Sequence, residues 1–354
     1  MKKVRKNDRE VFAERFQKAL RAFVDEQARY APVRTIDARK MIKLVSKTVL
    51  SGGKRMRPYL GVKTATSCGI SSQKAMKLGI ALELFHDFAL VHDDVMDRSS
   101  QRRGAPTIHQ AYQDEHKRKE WKGSAEHYGY SGAILAGDLL YTWAERAMDG
   151  LGLEARVSKR LLQEWNLMKE EVILGQTLDV TMSVLPHGIG RRQLMDVLAL
   201  KSGRYSIGRP IILGYALADQ RIDARTVLEA TEPLGLAFQI QDDILSTFGN
   251  PKKTGKGTDS DLREGKITIL AWETKRRIVD AKDQEIWDHA FGNENAKPAE
   301  IEALRKIMKE SGACEYVQTL SKQLIQLSIE KAYALPRISD WFIALAESLD
   351  DRQE

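Results

Sequence analysis

Apolar residues recur at helical spacing through most of the chain. Segments 75–97, 131–150, 158–184, 191–218, 225–248, 265–284, 298–311 and 313–333 carry them at i, i+3, i+4 intervals, and each is predicted to be a helix. Several are apolar on more than one face, GIALELFHDFALVHDD (79–94) among them, which places them inside a bundle. Strand signals are weak, with few alternating β-branched runs and no Asn-Gly or Asp-Gly turn between such runs. The nine prolines fall mainly at segment boundaries, as at Pro58, Pro106, Pro186, Pro251 and Pro298. No Pro/Ser-rich linker and no repeat divides the sequence. The pattern predicts an all-α fold of roughly a dozen helices in one domain spanning 1–354. Loops at 98–128, 249–264 and 286–297, where Gly, polar and charged residues gather, are the expected mobile parts.

Composition narrows the class. Hydrophobic residues make up 42% of 354, enough for a substantial core and too many for a disordered chain. The net charge of +7 raises nucleic acid as a partner. Many of the cations alternate with acids, as in DEHKRKEWKG (114–123), and no zinc-finger, RNA-binding or basic-zipper pattern occurs, so no nucleic acid is expected. A modest positive balance also suits small substrates with several negative charges. Cys68 and Cys314 fit no metal-ligand spacing and point to a reducing compartment. No apolar run approaches a transmembrane span, and MKKVRKNDREVF lacks the apolar core of a secretory signal, so a cytoplasmic protein is expected.

Two acidic groups carry candidate chemistry. Asp93, Asp94 and Asp97 close the apolar run ELFHDFALVHD; such a trio reads either as a solvated helix end or as a cation site. Asp93 and Asp97 stand one above the other on a helix, a like-charge pair that a bound cation would turn into attraction. Carboxylates on one helical face suit Mg²⁺, which takes one or two of them together with substrate phosphates and water. Asp242 and Asp243, in FQIQDDILS (238–246), repeat the logic after another apolar stretch.

Basic groups are spread over several loops. SGGKRMRP (51–58) sets Lys54, Arg55 and Arg57 behind a Gly-Gly turn, and its spacing is not that of a Walker loop. Arg102 and Arg103 follow the first acidic group, Lys201 opens KSGRYSIGRP, and Lys256 and Lys266 follow the second acidic group. Each alone reads as a surface loop. Together, carboxylates that need a metal and cations that need an anion are both satisfied by a magnesium-bound diphosphate.

In this order, GGKRMRP, ELFHDFALVHDDVMDRSSQRRGAPT, GYSGAILAGDLL, GQTLDV, KSGRYSIGRP, FQIQDDIL and GKGTDSDLREGKITIL resemble the motifs of the trans-isoprenyl diphosphate synthases, the polyprenyl synthetase family, over about 48–275. The resemblance implies an isoprenoid-synthase-type helical bundle around a deep central cavity, usually homodimeric, with helical extensions at both ends. It implies head-to-tail condensation of an allylic diphosphate (dimethylallyl, geranyl or farnesyl) with isopentenyl diphosphate, releasing pyrophosphate. Asp93, Asp97 and Asp242 would ligate three Mg²⁺ ions, with Asp94 and Asp243 acting behind them or through water. Arg102, Lys201 and Lys256 would bind the allylic diphosphate, and Lys266 is a further substrate-binding candidate. Lys54, Arg57, His86 and Arg103 would hold that of isopentenyl diphosphate. Gln239 and Ser202 would face the developing allylic cation. Two positions depart from the pattern: Ser246 stands where the second motif usually has a third carboxylate, and Asp259 where glycine is frequent.

Product length follows from the same resemblance. Phe85 and Phe88 lie eight and five positions before Asp93. That puts them ~12 and ~7.5 Å along the helix, where bulky residues act as a floor for the growing tail. An aromatic five positions upstream resembles the archaeal-type geranylgeranyl diphosphate synthases, so a C20 product is expected, with C15 (a farnesyl diphosphate synthase) as the alternative. A class I terpene cyclase shares the first acidic motif but needs only one diphosphate, which leaves GGKRMRP, His86 and Arg103 without purpose. A non-catalytic subunit of a heteromeric synthase is a third reading, kept open by Ser246.

Overall fold

The structure is a computed structural model that describes residues 6–30, 35–182, 184–185, 189–249 and 259–350. Helices α1 (Lys6–Arg29), α2 (Ile36–Leu50), α3 (Met56–Ser67) and α4 (Ser72–Met96) precede two short strands, β1 (Gln101–Arg102) and β2 (Ala105–Pro106). Next come α5 (Ile108–Arg118), α6 (Ala125–Asp149), α7 (Ala155–Met182) and α8 (Arg191–Val197), then a π-helical segment (Leu198–Gly208) that continues into α9 (Arg209–Leu217). The order ends with α10 (Ala224–Phe248), α11 (Ser260–Arg263), α12 (Ile269–Arg277), α13 (Ala281–Ala290), α14 (Pro298–Glu310), α15 (Ala313–Ala332) and α16 (Ser339–Asp350). The all-α prediction holds. Helix starts are set by local capping: the side chains of Ser71, Ser124 and Asp223 each accept a hydrogen bond from a first-turn N–H.

The sequence pattern errs at four places, one of them the presumed loop 249–264, which contains α11 and whose residues 250–258 lie outside the described ones. The helix expected over 265–284 is broken, because Asp280 caps a new helix by accepting from the N–H groups of Lys282 and Asp283, so α12 ends at Arg277. The presumed loop 98–128 contains α5 and a hairpin, and the presumed loop 286–297 begins inside α13. The hairpin pairs Gln101 with Pro106 and Arg102 with Ala105. Its two turn residues, Arg103 and Gly104, both have positive φ (53° and 73°), the backbone of a two-residue turn matched to strand twist. An arginine in that position gives no turn signal in the sequence.

By contact the chain divides into two compact units, Met1–Leu162 with Pro210–Arg221, and Gln163–Arg209 with Ile222–Glu354. In the first, α4 is the hub, packed against α3 and α6. Leu78, Leu82 and Phe85 of α4, Leu60 of α3, Leu140 of α6 and Phe16 of α1 are all buried. Gly137 lets α6 approach α4, since a Cβ there would lie 2.2 Å from His92 Nε2. In the second unit α10 lies against the π-helical segment and α15. Ser321 and Ser328 of α15 donate to the carbonyls of Ala237 and Ala230 (3.4 and 2.5 Å), on either side of Pro233 within α10. Arg209, 5% exposed, grips Glu171 through two donors (2.7 and 2.6 Å) and Glu164 through a third (2.6 Å), tying the π-helical segment to α7.

The contact between α10 and the π-helical segment is backbone on backbone: a Cβ on Gly235 would lie 2.3 Å from the Cα of Gly203. Main chain cannot turn aside as a side chain can. Gly235→Ala is therefore expected to lower stability by ~2–3 kcal/mol, read as a shift in the denaturant midpoint.

Candidate active site

The first acidic group is built by how α4 ends. Asp97 is the C-cap, and Arg98 follows with φ 53°. The N–H of Ser99 reaches the carbonyl of Asp94 (2.9 Å) and that of Arg98 the carbonyl of Val95 (3.3 Å). This is a left-handed helix stop made with arginine where glycine is usual. It turns the chain back so that the hairpin comes against the helix end. Arg102 donates through Nε to Asp94 (2.7 Å) and places Nη2 2.6 Å from Asp94 and 3.8 Å from Asp93. Asp94 is buried, Asp93 half-buried and Asp97 exposed. Burial raises the pKa of Asp94, while the hydrogen bond and charge of Arg102 pull it down. Arg102 thus holds Asp94 in place, and the carboxylates of Asp93 and Asp97 remain toward the outer end of the helix.

The basic group is assembled from α3, α4 and the hairpin. Arg57 lies 3.1 Å from His86 Nε2. A guanidinium only donates, so Nε2 accepts and the imidazole carries its hydrogen on Nδ1. His86 is held well below its usual pKa by burial first, then by Arg57, Arg103, Arg102 and Arg55, and is neutral. Arg103 donates to Ser51 Oγ (3.2 Å) and to the Gly52 carbonyl, lying across the Gly-Gly turn. Gly53 has φ 143°, a backbone conformation that L side chains rarely adopt, and the Arg103 guanidinium lies over it, with Nη2 2.9 Å from where a Cβ would stand. Lys54 is exposed beside this turn. Arg55, read from the sequence as one of three cations of equal standing, is different: it is 4% exposed, ion-paired with Glu83 (2% exposed), and hydrogen-bonded to Gln17 (3.2 Å) and the Val49 carbonyl (2.8 Å). It is a structural arginine.

In the second unit, the π-helical segment presents Lys201 and Ser202. Lys201 pairs with Asp179 (2.6 Å). Ser202 Oγ donates to Gln239 Oε1 (2.9 Å), and Gln239 Nε2 donates to Asp243 (2.8 Å), a relay that fixes the amide orientation. A wide-turn segment packed closely on α10 is a form often found at functional sites. Asp242 is half-buried; Asp243 is buried, and burial pushes its pKa up to about 7 against the charge of Lys266 and the Gln239 hydrogen bond. Ser246 donates to Asp261 (2.6 Å), so the position that lacks a carboxylate in the chain is bonded to one from α11. Asp259 pairs with Arg263 (2.7 Å), which holds its pKa down. Lys266 is exposed, and Lys256 lies outside the described residues.

The aromatic pair upstream of the acidic group is in contact. The Phe85 and Phe88 rings are 5.2 Å apart, and both touch Tyr141 of α6, at 6.0 and 5.2 Å. Phe85 is fully buried and Phe88 half-buried. Sequence reasoning missed Tyr141, Asp179, Asp261 and the Arg55–Glu83 pair. Asp179 sits in the quoted GQTLDV, but nothing in its spacing names Lys201 as partner. Glu83 inside an apolar run was the readable signal, since a carboxylate there demands a buried cation.

The family model for polyprenyl synthetase matches residues 39–308, a span that holds every motif above, and the chain belongs to that family. A short chain isoprenyl diphosphate synthase of Methanocaldococcus jannaschii is 33% identical over 264 residues, 74% of each chain. A geranylgeranyl diphosphate synthase of Saccharolobus solfataricus is 30% identical over 289 residues, 81% of each. Among solved structures, a geranylgeranyl pyrophosphate synthase from Corynebacterium glutamicum, complexed with isoprenyl diphosphate and magnesium, superposes with a TM-score of 0.90 at 29% identity, covering 97% of this chain and 99% of that one.

Because Arg55 and Glu83 are buried together, removal of one strands the other's charge. Glu83→Ala is expected to cost ~3–5 kcal/mol of stability in a chemical denaturation curve.

Proposed function

We propose that the chain is a prenyltransferase that condenses an allylic diphosphate with isopentenyl diphosphate, head to tail, to give a short all-trans prenyl diphosphate, geranylgeranyl diphosphate foremost, and pyrophosphate. The observation that carries this reading is the presence, beside the carboxylates that end α4, of a second and separate cationic group: Arg57 on neutral His86, and Arg103 across the Ser51–Gly53 turn. An enzyme acting on one diphosphate has no use for it. Neutral His86 lets the neighbouring cations stand together without adding repulsion, and Lys54 completes the group. Farnesyl diphosphate synthesis is the alternative within the same reaction.

The carboxylates fit magnesium. Asp93 and Asp97 offer hard oxygens one helical turn apart, and Asp242 another. An ion held by these carboxylates would take its remaining oxygens from substrate and water. We assign Asp93, Asp97 and Asp242 as the residues that hold three Mg²⁺ ions, with Asp94 and Asp243 behind them. The metal supplies charge neutralisation for the departing pyrophosphate. Arg102, Lys201, Lys256 and Lys266 add positive charge for the allylic diphosphate. Gln239, whose amide is oriented by Ser202 and Asp243, is assigned to face the developing allylic cation, which also requires that water be excluded.

Phe85, Phe88 and Tyr141 form the floor that limits the tail. Both compact units are assigned to one catalytic domain, since the family match runs through both. A homodimer is supported by exposed apolar side chains on α6 (Ile134, Leu135) and on α7 (Ile173, Leu174). Neither Cys68 nor Cys314 is in a disulfide, in keeping with a cytoplasmic enzyme. No helix among the described residues is long and apolar enough to cross a membrane.

The test is incubation of purified protein with Mg²⁺, labelled isopentenyl diphosphate and each allylic diphosphate, followed by phosphatase and chromatography. Labelled C20 prenyl alcohol is the expected outcome; no incorporation at all would overturn the reading. Asp93→Ala and Asp242→Ala are each expected to lower turnover by ~10²–10³-fold. Phe88→Ala is expected to shift the products to longer chains, and an unchanged distribution would remove Phe88 from the floor.

A further inference from the structure

One buried acid has no part in the reaction as proposed. Asp87 is 1% exposed, and neither of its carboxyl oxygens has a hydrogen-bond partner among the described residues. It lies one turn beyond Glu83 on α4, and the buried cation that acts on it, Arg55, is already committed to Glu83, to Gln17 and to the Val49 carbonyl. Two buried carboxyls therefore share one engaged arginine. Beside Asp87 on the helix is His86, which accepts from Arg57 (3.1 Å). From the hairpin, Arg102 and Arg103 act on it at longer range. On α6, which packs along α4, Asp138 approaches His92 (4.0 Å).

Burial drives an acid so placed toward its protonated form. Burial, then the charge of Glu83, hold its pKa well above the carboxylate range, against the opposing pull of Arg55, Arg103 and Arg102. A neutral Asp87 leaves the positive field of the basic group intact, whereas an ionised one would cancel part of it.

We propose that Asp87 is a positioning residue for the second diphosphate: its proton is retained while the anion is bound, and its loss weakens the site. The inference rests on the reading of Arg57, His86, Arg103 and Lys54 as the isopentenyl diphosphate site. The sign follows from linkage. An anion placed among those cations offsets their pull on Asp87 and favours the protonated acid, so anion binding and proton retention reinforce each other. As pH rises through the titration of Asp87 in the free protein, the competent fraction falls and the apparent Kd rises, by up to ~tenfold per pH unit. Folding follows the same direction. The raised pKa favours the folded state at low pH, and that contribution is lost as pH rises through the folded value.

The experiment is calorimetric titration of the full chain with isopentenyl diphosphate across roughly pH 6–9, in buffers of low and high ionisation enthalpy, which counts protons taken up on binding. It is run on the wild type, on Asp87→Asn, and on Asp87→Thr as a second neutral side chain should the amide variant fold poorly. The expected result is proton uptake at the alkaline end in the wild type that both variants lack, with a fall in affinity ~3–10-fold steeper than theirs. A merely structural role would move stability but not the proton count. Equal proton counts and parallel affinity profiles would overturn the role of Asp87 and leave the synthase reading standing. No binding by any of the three at any pH would overturn both.

Discussion

Charge taken out of water has to be matched, and along α4 that requirement organises the first unit. Glu83, Asp87 and Asp94 are buried on one helix with Asp93 half-buried beyond them, and each is answered differently. Glu83 is matched by Arg55 from the start of α3 and Asp94 by Arg102 from the hairpin, while burial and the charge of Glu83 drive Asp87 toward its neutral form. The two arginines bring distant chain segments to the helix: one anchors the Gly-Gly turn, the other anchors β1. Arg103, next to Arg102 in the turn, then spans the gap between those segments through Ser51 and Gly52. The basic group exists as a group because the acids of α4 draw its pieces together.

The second unit meets a similar demand by close approach. Gly203 and Gly235 let the π-helical segment lie with its main chain on that of α10, and Gly175 admits the segment to α7, where a Cβ would lie 3.1 Å from Lys201 N. Arg204 and Arg209, bound to Glu171, Glu232 and Glu164, lock the segment from its other side. Between these restraints Lys201 pairs with Asp179, and Ser202 and Gln239 are hydrogen-bonded to each other. Fixed partners of that kind are what the roles proposed for these residues require.

Most of the fold was legible because helices announce themselves in period and caps. The bounds of α4, α6, α7, α10, α14 and α15 lie within a few residues of those read from spacing, with α6 reaching six residues further at its start. The break after Arg277 was hidden because apolar period runs on past it, while Asp280, a cap, reads as one more charged residue. The hairpin was hidden because its turn relies on Arg103, held at positive φ by tertiary hydrogen bonds and not by its own preference. Of the candidate site, residue types and order were readable; partners were not.

From the sequence alone came the all-α class, the two acidic motifs, the several basic ones, and the resemblance that joins them into one reaction, since each depends on residue identity at short spacing. The tertiary structure alone decided which cation serves which acid. Arg55 and Arg57, two residues apart in GGKRMRP, divide into a buried strut on Glu83 and a partner of His86. Asp93 and Asp94, adjacent in the chain, divide into an outer carboxylate and an inner one held by Arg102. Burial separates each pair, and burial depends on the neighbours that long-range packing supplies, which local spacing does not encode.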